Sequence, residues 1–212
     1  MRIAVLICTC HAHWTKRVAL RSTWLKKLTA DMPCFFYVGW DAGRVAEVDM
    51  AVVDAPDGLH DLPTKTQRAI ARACATLEFD WLIRLDDDTF LAPERLPGLI
   101  AAANSEYIGG DCCQQHGYAT GGAGVILSRR LAELIASQPT PRPPFLDQDD
   151  GWIGAVVRAA GHRLWWSPRL SHHYRLRPGP QNDMVTGHYV SPTEMRTLYA
   201  SLYENAHDDR HP

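Results

Sequence analysis

Trp81-Leu82-Ile83-Arg84-Leu85-Asp86-Asp87-Asp88-Thr89-Phe90-Leu91 is the stretch whose reading decides the fold. An apolar run from Phe79 to Leu85 leads straight into three consecutive aspartates, and a second apolar pair, Phe90-Leu91, follows at once. The run is short, bulky and bounded by Asp80 and the triplet, which is the pattern of a buried strand. Adjacent carboxylates at the end of such a strand repel one another. They are tolerated when solvated, hydrogen-bonded or bound to a cation. Their oxygens suit a hard ion such as Mg²⁺ or Mn²⁺, which keeps open positions for water or phosphate. The competing reading is an acidic solvated loop, and the strand in front of the triplet favours the metal.

Outward from this stretch, strand and helix signals alternate. Ile3 to Cys8 reads as a strand, and Trp14 to Leu28 as a helix with Val18, Trp24, Leu25 and Leu28 on one stripe. Pro33 breaks it. Cys34 to Val38 and Ala51 to Val53 are two further strands, and Asp54 to Pro63, rich in Asp, Pro and Gly, is a loop. Thr64 to Leu77 is an Ala-rich helix with Thr64 as its N-cap candidate. Pro93 to Ala103 is another helix, with proline in its first turn. This order predicts an α/β fold with a mostly parallel central sheet flanked by helices. Ligands of such sheets bind beyond the carboxyl ends of the strands, where the aspartates lie.

The second half is more irregular. Tyr107 to Gly110 reads as a strand ending in a turn. Thr120-Gly121-Gly122-Ala123-Gly124 is a glycine-rich loop running into the strand Val125 to Ser128. It is neither a dinucleotide fingerprint nor a P-loop, since no Gly-Lys-Ser follows. Its glycines permit close backbone approach to a ligand, or simply a tight turn. Arg129 to Ser137 is a helix, and Pro139 to Pro144 a proline-rich connection. Helical spacing of Ile153, Val156, Val157 and Ala160 then places Asp149 and Asp150 at a helix N-terminus. Capping and the helix dipole account for one carboxylate there. A second acidic site opposite the metal is what acid–base chemistry needs. His172, His173 and His188 follow. A histidine can complete a metal site otherwise built of aspartates. Ser191, Pro192 and Glu194 open a final helix as N-cap, first position and capping-box partner.

The composition sets bounds. A chain of 212 residues suits one domain, 1–212, and 46% apolar residues support a full core. A formal net charge of -2 gives no electrostatic case for nucleic acid. No apolar stretch reaches membrane-spanning length, so no transmembrane segment is expected. Met1 to Ile7 reads as a first strand rather than a signal peptide, giving a cytoplasmic expectation with six reduced cysteines. Cys8-Thr9-Cys10-His11-Ala12-His13 has the wrong spacing for a zinc knuckle, and Cys112-Cys113 read as small buried residues.

Five stretches, in order, resemble the family 31 glycosyltransferases, which include Fringe and the β1,3-galactosyltransferases. They are Arg17 to Leu25 with its Arg-x-Thr-Trp, Asp80 to Phe90 with the acidic triplet, Tyr118 to Gly124 with Leu127-Ser128, Asp149-Asp150 with Gly154, and His188 to Pro192 with Met195. The resemblance implies a GT-A fold, with a nucleotide-binding half at about 1–110 and an acceptor-side half at about 111–212. It implies Mn²⁺ (or Mg²⁺) held by Asp88, Asp86 and His188, with His172 or His173 as the fallback ligand. It implies Asp150 as catalytic base. Thr9, Arg21, Lys65, Asp86, Asp87, Gly121 and Gly122 would lie at the donor. The implied activity is inverting transfer of a hexose or N-acetylhexosamine from a UDP-sugar to a hydroxyl of a saccharide or glycoconjugate acceptor, forming a β1,3-type linkage. Arg84 stands where relatives often carry lysine. A catalytically silent nucleotide- or carbohydrate-binding module on the same fold is the alternative, and a metal-dependent phosphohydrolase a further one.

Overall fold

Residues 1–41, 46–110, 117–141, 148–176 and 183–205 are described by the structure, a computed structural model. The strands Ile3–Cys8 (β1), Cys34–Trp40 (β2), Met50–Pro56 (β3) and Trp81–Asp86 (β4) form the first part of a seven-stranded sheet. Tyr107–Gly109 (β6), Val125–Ser128 (β7) and Leu164–Trp166 (β8) complete it, in the order β3-β2-β1-β4-β7-β6-β8. β3, β2, β1 and β4 run parallel, β7 runs against both β4 and β6, and β8 is parallel to β6. The mostly parallel sheet expected from the sequence is therefore present, with one reversed strand. β7 lies between β4 and β6, so the two halves of the chain share one sheet.

Period-two alternation sends β1 side chains to both faces. Ile3, Val5 and Ile7 join Trp24, Leu99 and Met195 on one face, while Ala4 and Leu6 join Ile70, Leu131 and Ile153 on the other. Helices Trp14–Ser22 (α1), Leu96–Ala102 (α3) and Pro192–Tyr199 (α6) cover the first face. Leu62–Thr76 (α2), Arg129–Ala136 (α4) and Asp149–Ala159 (α5) cover the second. In β4, Ile83 and Leu85 face the first layer and Leu82 the second. By the same alternation Arg84 and Asp86 are on the α2–α5 side.

A small sheet, Phe90–Leu91 (β5), Thr186–Gly187 (β10) and Leu170–Ser171 (β9), sits beside the large one. β10 pairs antiparallel with β5, Gly187 opposite Phe90, and parallel with β9. This pairing carries the C-terminal segment back to the acidic triplet.

Several expected boundaries differ. The helix starting at Trp14 stops at Ser22, because Thr23 leaves helical geometry (φ −123°, ψ −117°) and bonds its hydroxyl back to the Ala19 carbonyl at 2.7 Å. Trp24 is thereby turned into the core, where its indole N–H donates to the Thr89 carbonyl at 3.1 Å. α2 starts at Leu62 rather than Thr64, with Pro63 accommodated in its first turn. β3 extends to Pro56, and a 3₁₀ turn, Leu59–Asp61, occupies part of the expected loop. Cys8, Cys10, Cys34 and Cys74 carry free thiols, while Cys112 and Cys113 lie outside the described residues. No helix among the described residues is long and apolar enough to cross a membrane.

Candidate functional site

β1 and β4 are neighbours in parallel register, with Cys8 opposite Asp86. The chain leaves β1 toward β2 on one side and reaches β4 on the other, so a crevice opens between their carboxyl ends. A cavity of about 480 Å³ occupies it, lined by Thr9, His13, Lys16, Asp57, Lys65 and Asp86 to Asp88, with His188 and Tyr189 on the far wall.

The small sheet explains how His188 arrives there. Gly187 pairs with Phe90, the Val190 N–H donates to the Asp88 carbonyl at 2.9 Å, and the His188 N–H to the Ser171 carbonyl at 2.9 Å. Its Nε2 then lies 3.1 Å from Asp88 Oδ1 and 3.6 Å from Asp86 Oδ2. One potential ligand atom from each of Asp86, Asp88 and His188 falls within 4.8 Å of the others. Two carboxylate oxygens and an imidazole nitrogen form a donor set that suits Mn²⁺ or Mg²⁺. Burial pushes the Asp88 carboxyl up, but His188 and Lys16 outweigh it and hold it down at about 2. His172 is not in this group. Its ring centroid is 5.3 Å from that of His188, and burial, together with His188 and His173, lowers its imidazole to about 4. His173 packs edge-on against His172.

Asp87 points inward rather than toward the cavity mouth. It accepts from the Thr9 hydroxyl at 2.6 Å and pairs with His13 (2.8 Å) and Lys16 (3.1 Å). Lys16 also reaches Asp88 at 3.1 Å. Lys65 donates to the Thr9 carbonyl and to Asp57, both at 3.0 Å. Buried Arg17 braces the same loop through the Cys10 carbonyl at 2.6 Å and Glu47. Arg21 is placed elsewhere. Its guanidinium forks onto Asp49, contacts Glu47 and lies over the Phe36 ring, and it does not line the cavity. Cys8 lines the cavity too, and burial pushes its thiol up to about 11, so it stays protonated.

The glycine-rich loop joins two functional groups. The Gly121 N–H donates to Asp150 Oδ2 at 3.1 Å. A Cβ on Gly122 would lie 2.1 Å from the His188 ring, and one on Gly121 2.5 Å from Arg84. The glycines thus admit the His188 ring and the Arg84 guanidinium at close range. Thr89 pins the loop by donating to the Gly122 carbonyl at 2.7 Å, and Thr186 by donating to the Ala123 carbonyl.

Asp149 and Asp150 occupy the first turn of α5 as expected, yet they do different things. Asp150 is half-buried at the glycine loop. Asp149 is buried and bonded to Arg84 Nη2 at 2.7 Å and to the Thr66 hydroxyl at 2.7 Å. Burial raises its carboxyl above the usual range, against the opposing charge of Arg84. Asp149 is therefore an ion-pair partner, and Gln148 at the N-cap position makes no side-chain cap. Lys16 and Asp57 were not singled out by sequence reasoning, Arg84 was noted only as standing where relatives often carry lysine, and His13 only within a zinc spacing that does not fit. An arginine inside an apolar strand was the available signal, because a buried guanidinium requires a carboxylate partner.

The sequence matches the family described as Fringe, Fringe-like, over residues 1–197. A glycosyltransferase involved in glycosylation of the major capsid of PBCV-1 superposes with a TM-score of 0.56 at 15% identity, over 93% of this chain and 98% of that one. GlyE of Streptococcus pneumoniae TIGR4, also a glycosyltransferase, gives 0.51 at 11% identity, over 90% of this chain and 55% of that one. The mannosyltransferase PcManGT from Pyrobaculum calidifontis, in complex with GDP-Man and Mn²⁺, gives 0.50 at 13% identity, over 78% and 54%. The chain spans about half the length of the last two. At these identities the likeness is one of fold, the GT-A arrangement of a central sheet between helices.

Proposed function

Because this chain belongs to the Fringe-like family of glycosyltransferases, we propose that it transfers a sugar from a UDP-sugar to an acceptor hydroxyl, with inversion and with a divalent cation. The donor would be a UDP-hexose or UDP-N-acetylhexosamine, the acceptor a saccharide or glycoconjugate, and the linkage of β1,3 type. In this reading residues 1–110 supply most of the donor side and residues 111–212 the acceptor side. The observation that carries it is the double duty of the glycine loop, where Gly121 bonds Asp150 and Gly122 packs on His188. The candidate base and the candidate metal ligands thereby flank one turn.

Asp86, Asp88 and His188 would hold Mn²⁺ or Mg²⁺, which when bound neutralises charge on a leaving diphosphate. Lys16 and His13, both on the cavity wall, face the same charge. Thr9, Asp87 and Lys65 keep that wall in shape through their mutual bonds. Arg21 has no part in this cradle. Asp150 takes the proton of the acceptor hydroxyl as its oxygen attacks the anomeric carbon. The bond from that carbon to the phosphate oxygen breaks on the opposite face, and its electron pair leaves with UDP. One displacement gives inversion and no covalent enzyme intermediate. Calorimetric titration of UDP with Mn²⁺ and with EDTA tests the donor half of the reading. Tight binding only with metal is expected, and equal affinity in both conditions removes the cation from the mechanism.

A further inference from the structure

Arg84 is 1% exposed in the middle of β4, and the transfer chemistry outlined above gives it no task. Its guanidinium nevertheless reaches the candidate metal ligand Asp86 and, through Asp149, the helix start that carries the candidate base Asp150. Nη1 lies 2.7 Å from Oδ1 of Asp86, at an angle too poor for a hydrogen bond. Nη2 lies 2.7 Å from Oδ2 of Asp149, and Nε donates to the Tyr37 hydroxyl at 3.2 Å. Oδ1 of Asp149 in turn accepts the backbone N–H of Asp150 at 3.0 Å. The Tyr37 hydroxyl is held by Thr66, which also donates to Asp149, so the fork is fixed from behind.

We infer that Arg84 is a positioning residue that ties metal ligand Asp86 to the Asp149–Asp150 helix start, setting the base relative to the metal centre. The inference rests on the functional reading above. A planar guanidinium can address two carboxylates at fixed angles, whereas an ammonium is a point charge. The position is costly: a charge this deeply buried is retained only with excellent partners. It also explains Gly121, since a Cβ there would lie 2.5 Å from Nη1. Groups behind metal ligands orient them, and their loss typically costs about 10–100-fold in metal affinity or activity.

Four proteins test it: wild type, Arg84→Lys, Asp149→Asn and the double variant Arg84→Met/Asp149→Asn. Melting temperature, Mn²⁺ affinity without nucleotide, donor KM and kcat are read for each. Arg84→Lys should bind Mn²⁺ about 10–100-fold more weakly and lose kcat, because one ammonium does not reproduce the fork that meets Asp86 through Nη1 and Asp149 through Nη2. Asp149→Asn should lose kcat while keeping Mn²⁺ affinity and donor KM, because Arg84 still holds Asp86. The double variant leaves no buried charge unpaired and should recover melting temperature, but neither Mn²⁺ affinity nor kcat. Recovery of all three in the double variant would reduce the pair to core structure and overturn the inference. So would wild-type Mn²⁺ affinity and kcat in Arg84→Lys. A wild type that binds no Mn²⁺ instead overturns the functional reading, and the inference with it.

Discussion

Gly122→Ala probes the site without touching any titratable group. A Cβ on Gly122 would lie 2.1 Å from Cε1, 2.3 Å from Nδ1 and 2.4 Å from Nε2 of His188. Ordinary contact begins at 3.4 Å, so the ring or the loop must give way by about 1.3 Å. The loop is pinned by Thr89 and Thr186, and the ring sits on a short strand end, so the strain falls on both. Overpacking of this kind costs about 1–3 kcal/mol, and for a chain of this length each kcal/mol lowers the melting temperature by about 2–4 °C. Function should suffer more than stability. His188 Nε2 is 3.1 Å from Asp88, and a shift of that size removes the imidazole from the Asp86–Asp88 group. Misplacement by about 1 Å costs on the order of 10²-fold in rate. The assay combines melting temperature, Mn²⁺ titration and transfer rate. Gly98→Ala is the control: a Cβ there meets nothing within 4 Å, and alanine should stabilise this helix position by about 0.5–1 kcal/mol. A Gly122→Ala protein with wild-type Mn²⁺ affinity and transfer rate would refute the claim that this glycine exists to admit His188.

Two further variants address other parts of the account. Asp150→Asn loses one of two acceptor oxygens that take the Gly121 and Gly151 N–H groups, so stability should fall by only about 0.5–1.5 kcal/mol. Its transfer rate should fall about 10²–10⁴-fold with UDP affinity unchanged, and a rate close to wild type would remove Asp150 as base. Glu194 closes the capping box of α6 and also accepts from Tyr174 and Arg175. Ser191, Tyr174 and Arg175 hold its carboxyl down at about 2. A depressed folded value means stabilisation that is full above the ordinary carboxylate range and declines as pH falls toward 2. The melting-temperature gap between wild type and Glu194→Gln should therefore narrow from pH 7 to pH 3, and a gap that widens would contradict the assigned contacts.

Much of this was legible in the sequence because β4 states its own environment. Its apolar run has the pattern of a buried strand, and the aspartates after it fall at that strand's carboxyl end. The capping box at Ser191 was equally plain, and it is present. Contacts between distant elements were not readable. Nothing in the periodicity of Trp14 to Leu28 reveals that Trp24 must turn inward to reach the Thr89 carbonyl. The place of His188 depends on the pairing of two-residue strands, too short to carry a pattern, so the residues alone left it open beside His172 and His173, and the family resemblance singled it out. Lys16 read as one more basic residue on a helix surface, and only the register of β1 against β4 brings it over Asp87 and Asp88. Arg21 shows the converse, a motif residue whose guanidinium is taken up by Asp49 and Glu47.

The most direct measurement is a mass-spectrometric screen of UDP-sugars against saccharide acceptors, with Mn²⁺ and with EDTA, scoring UDP release and acceptor mass together. The account predicts that one UDP-sugar releases UDP in step with a one-sugar gain in acceptor mass, only with metal, and that Asp150→Asn abolishes both. UDP released at the same rate with every acceptor omitted, or no UDP-sugar turned over with any acceptor, would contradict it.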